Sequence, residues 1–487
     1  MACTTLLVGK NASYDNSTIV TRSEDSGSGS YCAKRFIVVE PKDQPKRYKS
    51  VISECEFDLP ENPLRYTAHP NADPFEGIWG CNGTNSKNVS MTATETITTN
   101  PRVLGADPLL VNTKDKKEGG LGEEDFVTVV LPYISSAREG VLRLGKLLEE
   151  HGTYESNGIA FQDENEIWWL ETIGGHHWMA RRVPDDAYVV MPNQLGIDNF
   201  DFEDAYGKKE TFMCCEDLRE FTEKNHLDLN LDGDFNPRLA YGSIDDSDRI
   251  YNTPRAWAML RHFNPTSFIW DGEDADYRPE DLDLPWAMVP ERKITVEDMK
   301  YVLSYYYQGT EFNPYGKDEK KGKYRPIGIN RNNITVFTQI RPYKEDGHKV
   351  VEWHALGSNA FNSAVAQYSN VTKTPAYFAD DSKTVTTKNF YWTNRLIAAL
   401  ADANYHEAIV EIERYDQKIM SKSHEIIIKT DAYVEENKLT GEKLHVALEK
   451  ANQELSDFTE EETNKLLDKV LYIASNHMKN SFSRSDN

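Results

Sequence analysis

The chain opens with Cys3-Thr4-Thr5-Leu6-Leu7-Val8, passes through the turn formers Asn11-Ala12-Ser13-Tyr14-Asp15-Asn16, and enters a second β-rich run over residues 17–23. Two such runs separated by a cluster of turn formers predict a hairpin. The second run ends in Arg22-Ser23-Glu24-Asp25, and a short hairpin returns that end to the neighbourhood of Cys3.

Working outward, further strands are expected at 34–40, 88–97, 158–163, 167–173, 177–183 and 187–192, with an exposed loop over the Lys-, Asp-, Gly- and Glu-rich residues 100–125. A helix is expected over 136–151. Ser136 and Glu139 form a capping-box pattern, Gly152 stands at the C-cap, and Val141, Leu144 and Leu148 recur at helical spacing. Residues 200–350 are irregular, with a β-hairpin near 333–355. After Pro375 no proline occurs, and 393–480 read as a helical hairpin or bundle with a second capping box at Thr459 and Glu462. Leu466, Leu467, Val470, Leu471 and Ala474 form an apolar stripe that is expected to pack on the main body.

With 55 Lys+Arg against 79 Asp+Glu in 487 residues, the net charge is −24. That balance argues against a nucleic-acid surface or a polybasic membrane contact, both of which need clustered cations. Hydrophobic residues at 39% and aromatics at 11% supply a sizeable core and exclude a mainly disordered chain. No run reaches the roughly 20 apolar residues that span a bilayer. The first residues lack a basic n-region, so a cytoplasmic protein is expected. Six cysteines with no C-x-x-C fit reduced thiols.

Cys3 is the most informative residue. Loss of Met1 and Ala2 would leave it with a thiol and a free α-amine, whose ordinary pKa near 8 suits a local base. Nucleophile and base then reside in one residue. Arg22 would lower the thiol pKa by its charge, and Asp25 would orient the amine by accepting a hydrogen bond. The competing reading of Cys3 is a small buried hydrophobe in a first strand.

Cys3-Thr4-Thr5 together with Arg22-Ser23-Glu24-Asp25 resembles the opening of the bacterial dipeptidase A family, cysteine dipeptidases among the N-terminal-nucleophile hydrolases. That family is similar to the choloylglycine hydrolase and penicillin V acylase group and to the secernins. The resemblance continues in order through Met91-Thr92-Ala93-Thr94-Glu95-Thr96-Ile97, Gly174-Gly175-His176-His177-Trp178, Arg182-Val183-Pro184-Asp185-Asp186-Ala187-Tyr188, Pro192-Asn193-Gln194 and Asn252-Thr253-Pro254-Arg255-Ala256-Trp257, and weakly through Asn370-Val371-Thr372-Lys373.

The resemblance implies an α+β fold, a four-layer αββα sandwich over 3–392 with irregular insertions around 200–350 and a helical C-terminal segment, 393–480, packed on it. It implies Cys3 as nucleophile, Arg22 and Asp25 beside it, Asn85 as the oxyanion asparagine, Asn193 as the second active-site asparagine and Arg255 as a late supporting arginine. The family's Asn-Glu pair is Asn85-Ser86 here, with Asn82 and Asn88 close by. The implied reaction is hydrolysis of dipeptides through an acyl-thioester. The alternatives are an amidase acting on N-acyl amino acids and a non-catalytic, secernin-like protein. The expected partner is a dipeptide substrate, without nucleic acid or membrane; self-association stays open. Arg255 and Asp25 are candidates for the substrate carboxylate and ammonium, which the sequence does not assign.

No cofactor and no metal are expected. Asp228-Leu229-Asn230-Leu231-Asp232-Gly233 imitates half of an EF-hand loop, but Leu239 stands where the bidentate Glu belongs. Adjacent His176 and His177 in a strand would point to opposite faces.

Overall fold

A computed structural model describes residues 3–27, 30–110, 119–231 and 233–480. Met1-Ala2, part of the Ser/Gly run 26–30, part of 100–125, Asp232 and the tail from 481 lie outside the described residues. The fold is α+β and is built on two antiparallel sheets. The seven-stranded sheet runs, in spatial order, Ala287–Met288, Tyr188–Met191, Cys3–Val8, Thr18–Asp25, Asn332–Ile340, Val350–Leu356 and Val365–Tyr368. The nine-stranded sheet runs Phe212–Cys214, His177–Arg182, Ile167–Ile173, Asn157–Gln162, Ser90–Thr92, Asn82–Asn85, Tyr66–Ala68 and Ile37–Val39, with Glu95–Thr96 also paired to Asn157–Gln162.

The expected N-terminal hairpin is present. Leu7 pairs with Val20, Thr5 with Arg22 and Cys3 with Glu24. Side chains alternate along a strand, so these six share one face. Leu7 and Val20 join Met91, Ala160 and Phe161 of the nine-stranded sheet in one buried cluster. Leu6, Val8 and Ile19 belong to the other cluster, with Trp257 and Leu260 of the helix Thr253–Phe263 and Leu448 and Val470 of the helix Gly441–Asn476. Polar bonds also link the sheets: Gln162 Nε2 donates to the Thr18 carbonyl at 2.7 Å, and Thr5 Oγ1 to Glu95 Oε2 at 2.8 Å.

The helix Ala137–His151 starts as the sequence predicts, with the Ser136 hydroxyl accepting from the Glu139 N–H at 3.1 Å and Gly152 at φ +69°. The C-terminal part is three helices, Phe390–Ala403, Tyr405–Glu436 and Gly441–Asn476. Thr459 does not cap one of them. It lies inside the last helix, and its hydroxyl donates to the Leu455 carbonyl at 2.7 Å. The apolar run on both sides of it favours continued helix over a local cap. Leu466 and Val470 of the stripe are buried, whereas Leu471 is exposed.

Residues 100–125 are not an exposed loop where they are described. Asn100 caps a short helix, Pro101–Ala106, and Leu121 to Asp125 are buried. The strand Asn82–Asn85 (Asn-Gly-Thr-Asn), made of residues that favour turns, was not expected either; tertiary pairing on both its edges overrides propensity.

Candidate active site

Cys3 is fully buried where the first strand begins. Its Sγ receives an N–H from Arg22 Nη2 at 3.1 Å. The hairpin register makes this contact, because Arg22 and Cys3 stand two residues apart on one face of adjacent strands. Burial pushes the Cys3 thiol well up; Arg22 works against that rise, and Glu123 and Glu95 add to it.

Arg22 is itself fully buried and tied on every side. Nε donates to the Thr94 carbonyl at 2.8 Å, Nη1 to Glu24 Oε2 at 3.0 Å and to the Cys81 carbonyl at 3.1 Å, and Nη2 also pairs with Glu123. Glu24 in turn holds Lys34 Nζ at 2.6 Å, and that ammonium donates to the Trp79 carbonyl at 2.7 Å. Burial would raise the Glu24 carboxyl, but Lys34 and then Arg22 hold it below its ordinary value. Two cations and two carboxylates thus compensate one another in the interior, which a buried charge requires.

The opposite face of the same strand is held by Arg255, in the first turn of the helix Thr253–Phe263. Its Nη1 donates to the Cys3 carbonyl and to Thr4 Oγ1 (2.7 Å), and its Nη2 to Asn193 Oδ1 and Asn252 Oδ1, each at 2.7 Å. Nε donates to the Tyr251 carbonyl at 2.8 Å. A guanidinium has five N–H groups, and all five are taken up by the protein. Arg255 therefore does not bind a substrate carboxylate as the sequence suggested; it fixes the backbone of the cysteine. Asn193 is fixed with it, since its amide nitrogen donates to the Thr96 carbonyl at 2.8 Å.

Asp25 falls on the face opposite the thiol, one residue past Cys3's register partner. It pairs with Arg325 and accepts from Asn332 Nδ2 at 3.0 Å. With those partners it is not an open receptor for a substrate ammonium. Arg325 and Arg255 lie on the Tyr251 ring, at 4.9 and 5.2 Å from its centroid. Asn85 is not brought to the thiol. Its amide nitrogen donates to the Leu131 carbonyl at 2.9 Å and the Ile134 carbonyl at 2.8 Å, which uses both hydrogens, and its oxygen accepts from the Lys87 N–H.

The structure adds residues that the sequence did not single out as site members: Lys34, Glu95, Glu123, Asn252, Arg325 and Asn332. Glu123 comes from the segment read as a solvated loop. Glu95 is buried below Thr5; burial lifts its carboxyl to about 8, with Arg255 and the Thr5 hydroxyl pulling the other way. A cavity of about 750 Å³ opens beside Gln194, the neighbour of Asn193, with Arg181, Asp198 and Asp283 on its wall; Cys3 does not line it. His176 and His177 do not diverge as expected. Both ring Nδ1 atoms meet Asp107, at 3.0 and 2.7 Å, because His176 sits in the turn before the strand His177–Arg182. Cys3, Cys55, Cys81, Cys214 and Cys215 are free thiols, and among the described residues no helix is long and apolar enough to cross a membrane.

The model of Peptidase family C69 matches residues 2–418. A "Dipeptidase" of Bifidobacterium longum is 53% identical over the full length of both chains, a "Probable dipeptidase A" of Streptococcus pyogenes is 52% identical over the full length of both, and the "Dipeptidase A" of Lactobacillus helveticus is 46% identical over 96% of each. The chain belongs to Peptidase family C69. By that membership it is a peptidase, and so a hydrolase.

Proposed function

We propose that this peptidase is a cysteine dipeptidase in which Cys3, freed of Met1-Ala2, is the nucleophile. The observation that carries the reading is the pair of arginine contacts on one residue: Arg22 Nη2 at 3.1 Å from the sulfur and Arg255 on the carbonyl of the same cysteine. One contact supports a developing thiolate, and the other fixes the strand end from which sulfur and α-amine both project. The names of the full-length relatives support dipeptides as the substrate.

In this reading the α-amine takes the S–H proton, and the thiolate forms a bond to the peptide carbonyl carbon. The oxyanion is met by an amide N–H; Asn193, oriented by Arg255, is the better candidate, because Asn85 has no hydrogen left to give. The α-ammonium then protonates the leaving amine as the C–N bond breaks. Water attacks the acyl-thioester, its proton passes to the same amine, and C–S cleavage restores the thiol.

The finer fold assignment follows the same reading: a four-layer αββα sandwich over 3–392 carrying the helices of 393–480. It is supported by Leu7 and Val20 packing between the sheets, Leu6 and Val8 packing under the helices, and Val141, Leu144 and Leu148 of the helix Ala137–His151 covering the second sheet. The free thiols of Cys3, Cys55, Cys81, Cys214 and Cys215 support a reducing, intracellular setting.

The test is N-terminal mass analysis of active protein combined with a substrate panel. The reading expects a chain beginning at Cys3 and turnover of dipeptides but not of N-acyl amino acids. Active protein that retains Met1-Ala2 removes the amine as base. Turnover confined to N-acyl amino acids makes it an acylase, and turnover of neither a non-catalytic member.

A further inference from the structure

Three strands along from the first strand in the seven-stranded sheet, a second polar cluster is sealed between the sheets. Glu352 and His354 are two residues apart on the strand Val350–Leu356 and share its inner face. His69, just past the strand Tyr66–Ala68, faces them from the other sheet. All three are fully buried. Neither nitrogen of either imidazole has a hydrogen-bond partner, nor has Glu352 Oε2. The three side chains offer ligand atoms all within 4.8 Å of one another, and His354 Nε2 lies 3.6 Å from Glu352 Oε2. Two donors on one tetrahedral zinc stand about 3.4 Å apart, so that pair is already close to a ligating separation.

We propose that His69, Glu352 and His354 form a structural site for a divalent transition ion of the zinc type, joining the two sheets away from the reacting thiol. Two imidazoles and one carboxylate suit such an ion. Burial pushes both rings down to about 3, so their lone pairs need no deprotonation before they ligate. Burial also raises the Glu352 carboxyl, and ion binding favours its charged form. The outer shell is built: Glu352 Oε1 accepts from Thr84 Oγ1 at 2.6 Å and Thr67 Oγ1 at 3.2 Å. Phe36 stacks on His69 at 5.0 Å and lies 4.4 Å from the His354 ring, walling the site from water. Asn82, whose side chain and backbone act on the His69 ring, stands at the edge of the site.

The full-length protein is stripped with chelator, reloaded with zinc or cobalt, desalted, and its metal counted by mass spectrometry. Stoichiometric metal is expected in the wild type and in Cys3→Ala, with near-complete loss in His69→Gln and in His354→Gln, and zinc should raise the wild-type Tm. Wild-type protein that retains neither metal overturns the proposal, as do histidine variants that bind as the wild type does. Should those variants fail to fold, the cobalt spectrum of the wild type decides. Ligand-field bands without a thiolate-to-cobalt charge-transfer band uphold the site, and a charge-transfer band moves the metal to a cysteine and overturns it.

Discussion

Arg255 Nη2 reaches Asn193 Oδ1 at 2.7 Å while its other terminal nitrogen holds the Cys3 carbonyl. One guanidinium therefore sets both the strand end that carries the thiol and the amide proposed to face the oxyanion. Lysine in its place keeps a charge but not the planar fork. Arg255→Lys is expected to lower kcat about 100-fold with a small change in KM, a misplacement effect. Steady-state kinetics on a dipeptide check it, and an unchanged kcat refutes the positioning role.

Cys3→Ala is expected to reduce turnover by at least about a thousandfold while leaving the melting temperature near that of the wild type, since a small buried side chain is exchanged for another. Cys3→Ser should retain a trace of activity, because the hydroxyl is the weaker nucleophile. Normal turnover by Cys3→Ala ends the nucleophile assignment.

Arg22 and Glu123 act on the thiol with opposite sign. Arg22→Gln should move the pH profile of thiol alkylation upward, and Glu123→Gln should move it downward, because one removes the cation that opposes the raised thiol pKa and the other an anion that adds to it. Arg22→Gln also leaves the buried Glu123 carboxylate without its cation, while Glu24 keeps Lys34, a loss of about 3–5 kcal/mol. Iodoacetamide rates against pH, with Tm measured alongside, test both signs.

Glu95 makes stability depend on pH. Its carboxyl is lifted by burial to about 8 in the folded protein, against about 4.3 in an unfolded chain. Between those values the folded state binds the extra proton, so the stabilisation is complete below about pH 4 and is lost as pH rises through 8. Glu95→Gln keeps an oxygen for Thr5 and removes the titration. It should therefore melt higher than the wild type at pH 9, by an equivalent of a few kcal/mol, and close to it at pH 5. Parallel melting curves across that range would refute the assignment.

Gly145 lies mid-helix in Ala137–His151, where alanine would ordinarily gain about 1 kcal/mol. A Cβ there runs into the Trp178 ring of the second sheet. Overpacking of this kind costs about 1–3 kcal/mol, so Gly145→Ala should lower Tm despite its propensity. Chemical denaturation measures the balance.

The hairpin, the helix Ala137–His151 and the C-terminal helices were legible because each rests on local signals: turn formers, an N-cap serine, an unbroken apolar period. The contact between Arg22 and Cys3 was legible for the same reason, since a hairpin alone brings them together. Glu123 was not. An acidic triplet after a Lys- and Gly-rich stretch looks solvated, and only a buried arginine more than a hundred positions earlier in the chain gives it a reason to be inside. Asn85 stands in the opposite situation. Motif spacing put it in the site, whereas two carbonyls left by the turn at 131–134 take its amide. Arg325 and Asn332 reach Asp25 across some three hundred residues, a distance that no periodicity reports.

The strand Cys3–Val8 is hydrogen-bonded along both edges, to Tyr188–Met191 and to Thr18–Asp25. Any polypeptide joined ahead of Cys3, whether a natural leader or a purification handle, is attached to the backbone nitrogen of the residue that carries the sulfur. If Cys3 is the nucleophile, as proposed, an affinity tag fused to the front of this protein should block turnover, and one fused behind the last helix should not.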